Sequence, residues 1–347
     1  MLIDEFSSFE NKYLFEKKYD DFSYWVYSRY AIFSYLTKLQ EGIEMSSQKM
    51  TDGLICGIKN MIINSLRYRH KIKKIGHRDL LILNHERRVL KDGYYRCIYT
   101  EQIEEHYPNS VVLERPYFYK HLKPIQTERI FYSDCVELES LIYGFLECKL
   151  KAKKYSEKEM SIVAPEFQHM VKQEVSVEAL SEMLTRLYLL YCVKRKKFEK
   201  VIQKIQPKVI LEVVSYNLDC MIFNEIAYEK KINTIELQHG VMSGSIAYYY
   251  PKNVLIKQFP QKVFLFSDYW KNCISVPLED KNVISVGYPY FEEQVKKYQK
   301  INRDKNKTTK VILFLSQWTI GENFSKFAVE FSNLINDKWK IIYKLHP

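Results

Sequence analysis

Hydrophobic residues recur along the chain in two different rhythms. Near the start, Tyr19, Phe22, Trp25, Val26 and Tyr30 are spaced by three and four. Ile55, Ile58, Met61, Ile62 and Leu66 repeat that spacing, which predicts amphipathic helices across residues 1–74. At residue 79 the rhythm changes to a short continuous apolar run, 79–84, the mark of a strand covered on both faces. Residues 110–114 and 129–133 are further strand candidates. A helical stretch follows over 134–206. In it Leu180, Met183, Leu184, Leu187, Leu190, Tyr191, Phe198, Val201, Ile202 and Ile205 trace one apolar stripe that stops at Pro207. Beyond Pro207, strand and helix alternate. Residues 208–214, 218–231 and 233–238 form a βαβ unit, whose strands must run parallel. Four more strands are predicted at 262–266, 282–286, 310–315 and 340–345.

Two groups of parallel strands predict an α/β chain with two Rossmann-like, doubly wound parallel-sheet domains. A helical N-terminal extension precedes them, and the second domain is incomplete. Pro251 and Pro260 bracket a polar connection. The expected division is a helical region over 1–74, a first sheet domain over 75–255 and a partial second one over 256–347.

Composition narrows the picture. The chain has 347 residues, 46% of them hydrophobic, with 28 Tyr and 19 Phe but 10 Gly and 10 Pro. This excludes a disordered or collagen-like chain. The formal net charge of +11 admits nucleic acid, an anionic membrane surface or anionic substrates. No RNA- or DNA-binding signature is present, so nucleic acid is not an expected partner; an abundance of Lys with no ligand behind it accounts for the charge equally well. Seven Cys at wide spacings, with no C-x-x-C pair, indicate neither a zinc site nor a disulfide framework and point to a reducing cytoplasm. The acidic, polar N-terminus is not a secretory signal. No apolar run reaches the ~18 residues of a membrane span, so any membrane contact is expected to be peripheral, at the inner face. Lys194, Arg195, Lys196 and Lys197 are a candidate contact, or a solvated helix face.

Ligands of open parallel sheets bind beyond the carboxyl ends of the strands, so the residues directly after each strand carry the candidate chemistry. His239 and Gly240 follow the strand at 233–238. A glycine there permits a tight turn that lifts the histidine out of the strand, where it could act as general base; a structural histidine satisfied by backbone fits the spacing equally. Ser316 and Gln317, then Thr319 and Gly321, follow the strand at 310–315 and suit phosphate binding at a helix N-terminus, or ordinary capping. Lys344, His346 and Pro347 end the chain, Pro347 fixing a turn that points His346 away from the strand. Gly287, Tyr288 and Pro289 form a turn and a cleft wall. His85, Glu86, Arg87 and Arg88 could grip an anionic acceptor group or begin a solvated helix.

In order along the chain these segments resemble a known group. Residues 235–240 (I-E-L-Q-H-G), with 207–216 before them, resemble the Q-H-G segment of bacterial GT-B-type glycosyltransferases that build capsule and lipopolysaccharide. Residues 344–347 (K-L-H-P) are similar to the K-x-H-P motif of polysialyltransferase-like and CDP-glycerol-polymer enzymes. The resemblance covers about residues 75–347. Related chains often carry a second His shortly after Q-H-G; here Ser243–Tyr248 has none.

The resemblance implies an inverting, metal-independent transfer from a nucleotide-sugar donor, as substrate and with no cofactor, to an oligosaccharide or polysaccharide acceptor. His239 is then the catalytic base. His346, Ser316, Gln317 and Lys344 hold the donor phosphates. Gln238, Gly240, His85, Arg87, Arg88 and Gly287 line the acceptor side or the cleft. Glu212 and Glu236, in mid-strand, are expected to be structural. No Asp-x-Asp metal motif occurs. A GT-B donor domain continues well past the K-x-H-P motif, so the resemblance also implies a chain cut short at Pro347 with weakened donor binding. The alternatives are a polyol-phosphate transferase using a CDP-linked donor and a non-catalytic binding or assembly protein.

Overall fold

The computed structural model describes residues 2–10, 12–42, 51–85, 88–117, 120–146, 149–251, 254–299, 310–316 and 320–345. The chain opens with helices α1 (Leu2–Phe9), α2 (Lys12–Glu16), α3 (Tyr24–Gln40) and α4 (Thr51–Lys74). Strand β1 (Leu80–Leu83), the hairpin β2 (Val89–Lys91) and β3 (Tyr94–Arg96), helix α5 (Glu101–His106), β4 (Ser110–Glu114) and β5 (Ile130–Tyr132) follow. Helices α6 (Asp134–Leu146), α7 (Lys149–Val171) and α8 (Val177–Ile205) lead to β6 (Val209–Val213), α9 (Leu218–Lys230), β7 (Asn233–Leu237), β8 (Lys262–Leu265), β9 (Val283–Ser285) and α10 (Pro289–Gln299). Last come β10 (Lys310–Leu315), α11 (Gly321–Ser332) and β11 (Trp339–Lys344).

Seven strands form one parallel sheet in the order β5-β4-β1-β6-β7-β8-β9. This is the doubly wound, Rossmann-like arrangement: successive strands step outward from β1 to one side, then return and step to the other. The order reverses between β1 and β6, which is the topological switch point. Alternate side chains enter opposite faces. Leu81, Leu83, Val111, Leu113 and Ile210 join the large core beneath the helices. Ile82, Val112, Leu211, Val213 and Leu237 form a smaller core, against which Ile103 of α5 packs.

The compact units divide between Tyr290 and Phe291. The strands at 262–265 and 283–285, expected in the second domain, instead pair through β7 and extend the first sheet. The reason is register: Ile235–Leu237 of β7 lie directly opposite Lys262–Phe264, so the proline-bracketed connection at 251–261 is a crossover within one sheet, not a linker. The second unit, taken by itself, is a β10-α11-β11 crossover with parallel strands. Phe314 is buried there among Phe324, Phe327 and Phe331.

Helix ends are set by local chemistry. Ser176 Oγ accepts from Ala179 N at the start of α8, and Gln206 closes it in a left-handed turn, just before Pro207. Asn217 caps α9 by accepting from Asp219 N. The basic run at 194–197 is not a free surface. Lys194 is buried on α8 and reaches Glu137 of α6 and Asp219 of α9, each at 2.7 Å. Arg195 pairs with Glu225 and Glu229, and Lys197 with Glu139. Three of the four charges therefore tie helices together, and Lys194 is withdrawn from the surface.

The N-terminal helices are part of the same core. Phe6 and Trp25 stack with Phe167 of α7. Arg29 of α3 is 1% exposed. It grips Glu10 with two nitrogens at 2.6 Å and donates to the carbonyls of Ile246 and Tyr249. Those carbonyls belong to the segment that follows β7.

Candidate functional site

Parallel strands deliver their last residues to one edge of the sheet, and here that edge collects rings. His85 leaves β1, Tyr216 follows β6 and His239 follows β7. The ring centroids of His85 and His239 are 6.4 Å apart, and those of Tyr216 and His239 6.0 Å. Tyr216 Oη lies 3.4 Å from His239 Nε2, the direction of the proton being set by the tautomer. Nδ1 of His239 is enclosed with no hydrogen-bond partner among the described residues. Burial, reinforced by His85, holds the His239 imidazole down to a pKa of about 4. It is neutral at pH 7, the form that can accept a proton.

Three contacts fix His239 in place. Tyr99 Oη donates to its backbone carbonyl at 2.7 Å. Gln238 Nε2 donates to Gly240 O, while Gln238 Oε1 accepts from Phe266 N, tying the turn to the end of β8. Gly240 does not have a left-handed backbone, and a Cβ there would meet open space; the turn is held by the Gln238 amide. The left-handed glycines of this region are Gly244 (φ 73°) and Gly287 (φ 85°). Gly287 follows β9 and turns the chain so that Tyr288 stacks on Phe266 at 4.3 Å. Tyr99 lies parallel to Tyr288 at 6.0 Å. Val214, at the end of β6, has φ 70°, a strained conformation for a β-branched residue. It redirects the chain into Ser215 and Tyr216.

Arg88 is not available to an acceptor. Its guanidinium is buried against Glu114 at 2.6 Å and reaches Glu101 and the carbonyl of Tyr95. Asn84 bridges Glu114 and Thr100. An unpaired buried carboxylate is costly, so Glu114 captures the nearest guanidinium, and the network braces the loop that carries Tyr99. Arg87 lies outside the described residues. A cavity of 80 Å³ opens between Asn84, His85, Arg115, Asn217, Asp219 and Cys220. It sits at the switch point, far below the roughly 300 Å³ of a small-molecule pocket. A larger cavity of 700 Å³ is lined by Lys271, Ser275, Leu278, Glu279 and Val283, and no histidine lines it.

In the second unit, Ser316 follows β10 and is buried. Its N–H donates to Lys344 O, and its Oγ accepts from Tyr343 Oη. Ser316 and Lys344 are therefore neighbours at the ends of paired strands. Gln317 and His346 lie outside the described residues. Among the described residues, no three His, Cys, Asp or Glu side chains gather to hold a metal ion, and no helix is long and apolar enough to cross a membrane.

Sequence reasoning missed Tyr216, Tyr99 and Tyr30. Tyr216 obeys the same strand-mouth rule that finds His239, but the left-handed Val214 that exposes it leaves no mark in the sequence. Tyr30, on α3, reaches the site across the fold, with its ring 4.4 Å from Tyr216.

No protein-family model matches the chain, and no curated protein matches it in sequence. Among solved structures, the chain is similar to the UDP-GlcNAc 2-epimerase from Neisseria meningitidis bound to UDP-GlcNAc, at 12% identity and a TM-score of 0.36. The likeness covers 77% of this chain and 65% of that one, so the chain spans less than two thirds of that enzyme's length.

Proposed function

We propose that the chain is a glycosyltransferase of the GT-B type that moves a sugar from a nucleotide-activated donor to a growing bacterial surface polysaccharide, in an inverting reaction without an obligatory metal. The observation that carries this reading is His239: a neutral imidazole at the carboxyl edge of a doubly wound sheet, one strand from the switch point and flanked by His85 and Tyr216.

Such a transfer needs a group to take the acceptor hydroxyl's proton as the anomeric carbon is attacked. His239 is the proposed acceptor of that proton, through whichever nitrogen the substrate meets. Arrival of an anionic donor would raise the imidazole's pKa from about 4 and favour proton capture. His85, Tyr216 and Tyr99 frame the acceptor. Ser316, Gln317, Lys344 and His346 are proposed to meet the leaving phosphates, and the net charge of +11 suits that anionic cargo.

The test is a donor screen with UDP-, CMP- and CDP-linked substrates and oligosaccharide acceptors, with products identified by mass. A glycosylated product from the wild type, with transfer by His239→Ala reduced about 10²–10⁴-fold, is expected. Release of CMP with a polyol-phosphate product would replace the sugar reading. Near-normal turnover by the variant would remove His239 from the reaction.

A further inference from the structure

Beneath the histidine edge lies a feature that the transfer reaction does not use. Glu212 of β6 and Glu236 of β7 are direct register partners, and each is 0% exposed. Strand alternation places both on the sheet face covered by α9. One oxygen of each is bonded: Asn224 Nδ2 donates to Glu212 Oε1, while Ser215 N and Tyr248 Oη donate to Glu236 Oε1. The other oxygens, Glu212 Oε2 and Glu236 Oε2, are enclosed with no hydrogen-bond partner among the described residues, as is Asn224 Oδ1.

We propose that Glu212 and Glu236 are kept as neutral carboxylic acids, a buried acid pair that positions the two segments framing His239. Among the described residues, the groups facing the pair supply no positive charge. From α9 they are Cys220 and Asn224; after β6, Ser215 and Tyr216; after β7, Tyr248 and Tyr250. The basic side chains in that neighbourhood are engaged elsewhere, Arg115 with Asn217 and Arg29 with Glu10. Two adjacent carboxylates in a low-dielectric interior with no counter-charge are strongly disfavoured. A proton removes the charge and also converts an enclosed acceptor into a donor, where the donors otherwise within reach of the second oxygens are the Cys220 thiol and the Ser215 hydroxyl. Burial first, then Glu236, pushes Glu212 up to about 8, and burial raises Glu236 as well.

Glu236 Oε1 joins the two flanks of the site. Ser215 immediately precedes Tyr216, and Tyr248 lies in the segment that leaves His239. Ionisation of the pair would bring two repelling charges under that joint. The inference rests on the histidine edge being the working site only for its effect on turnover; its measurements need no substrate and stand apart from the donor screen.

The sign of the linkage is definite. In the unfolded chain a Glu ionises near 4.5, and in the folded chain Glu212 ionises near 8. Between those values the folded state holds more protons, so the acid's contribution to stability is full below about 4.5 and is lost as pH rises to about 8. Infrared difference spectra of the whole chain at pH 7 are expected to show the carbonyl stretch of a protonated carboxylic acid, weakened in Glu212→Gln and in Glu236→Gln. Absence of that band in the wild type would overturn the proposal. So would a bound metal ion, found by elemental analysis at one per chain and lost in Glu212→Gln, because an ion would then be the counter-charge. The melting temperature of Glu212→Gln relative to wild type should rise steadily from pH 4.5 to 8, whatever the baseline cost of the substitution. A pH-independent difference would overturn the protonated pair. Positioning has its own readout: the His239 ring resonances should shift between pH 7 and 9 in the wild type and stay fixed in Glu212→Gln. Unmoved wild-type resonances would overturn that part.

Discussion

His239 combines two properties that usually exclude one another, burial and reactivity. Its imidazole is enclosed enough to hold its pKa at about 4, with His85 adding to the effect, yet it stands at the open edge of the sheet. Between about 4 and the ordinary value of 6.5 the unfolded chain binds a proton that the folded chain refuses. His239 therefore adds stability that is complete above about 6.5 and is lost as pH falls toward 4. Nuclear magnetic resonance of the ring should give a midpoint near 4, and His239→Gln should flatten the acid limb of the stability profile over that window. A ring that titrates near 6.5 would mean that water reaches it freely. Position after a strand made this residue legible in the sequence. The reading of Arg88 as an anion grip failed for a reason composition cannot reveal: Glu114, 26 residues away in the chain, is the anion it holds. Breaking such a pair from one side costs about 3–5 kcal/mol, so Arg88→Leu is expected to lower unfolding free energy by about that much in denaturant titration. Loss of a smaller, surface-like amount would place the guanidinium in solvent.

At the scale of elements, most of the sheet could be read in advance, because its strands are short apolar runs ended by polar residues and its βαβ unit keeps a strict alternation. The hairpin of β2 and β3 was not legible, since three-residue strands with exposed Val89 and Leu90 carry no periodicity. Nor was the break between α7 and α8, where Lys172 takes a left-handed backbone and Ser176 starts a new helix. Lys194 shows why charge runs mislead. Seen in sequence it belongs to a basic surface; in the fold its ammonium is shared by Glu137 and Asp219, joining α6, α8 and α9. Because α9 begins beside Tyr216, that junction steadies one flank of the site. Lys194→Met would leave two carboxylates facing each other in the interior, at a cost of about 3–5 kcal/mol. Adding Glu137→Gln should recover part of the loss in thermal melts. A double variant no more stable than the single one would show that Glu137 is not a partner in the junction.

Across the whole molecule, the two units differ in how completely they bury their sheets. The seven-stranded sheet is covered on both faces, as parallel sheets generally are. In the second unit α11 covers one face, where Phe314 and Tyr343 pack. Strand alternation turns Val311, Leu313 and Leu315 of β10 and Ile342 of β11 to the opposite face, and all four are exposed, from 42% for Ile342 to 56% for Leu315. Contiguous apolar surface of this kind, on a short parallel sheet, promotes association between chains. Leu313 sits at the centre of the patch, opposite Ile342 in the register. Threonine keeps its β-propensity there while removing most of the exposed apolar surface. Leu313→Thr is therefore expected to lower concentration-dependent self-association in sedimentation velocity and to reduce binding of a hydrophobic dye, with the melting temperature of the seven-stranded unit unchanged. If association were equal in the variant and the wild type across the concentration series, the patch would not be the surface through which chains meet.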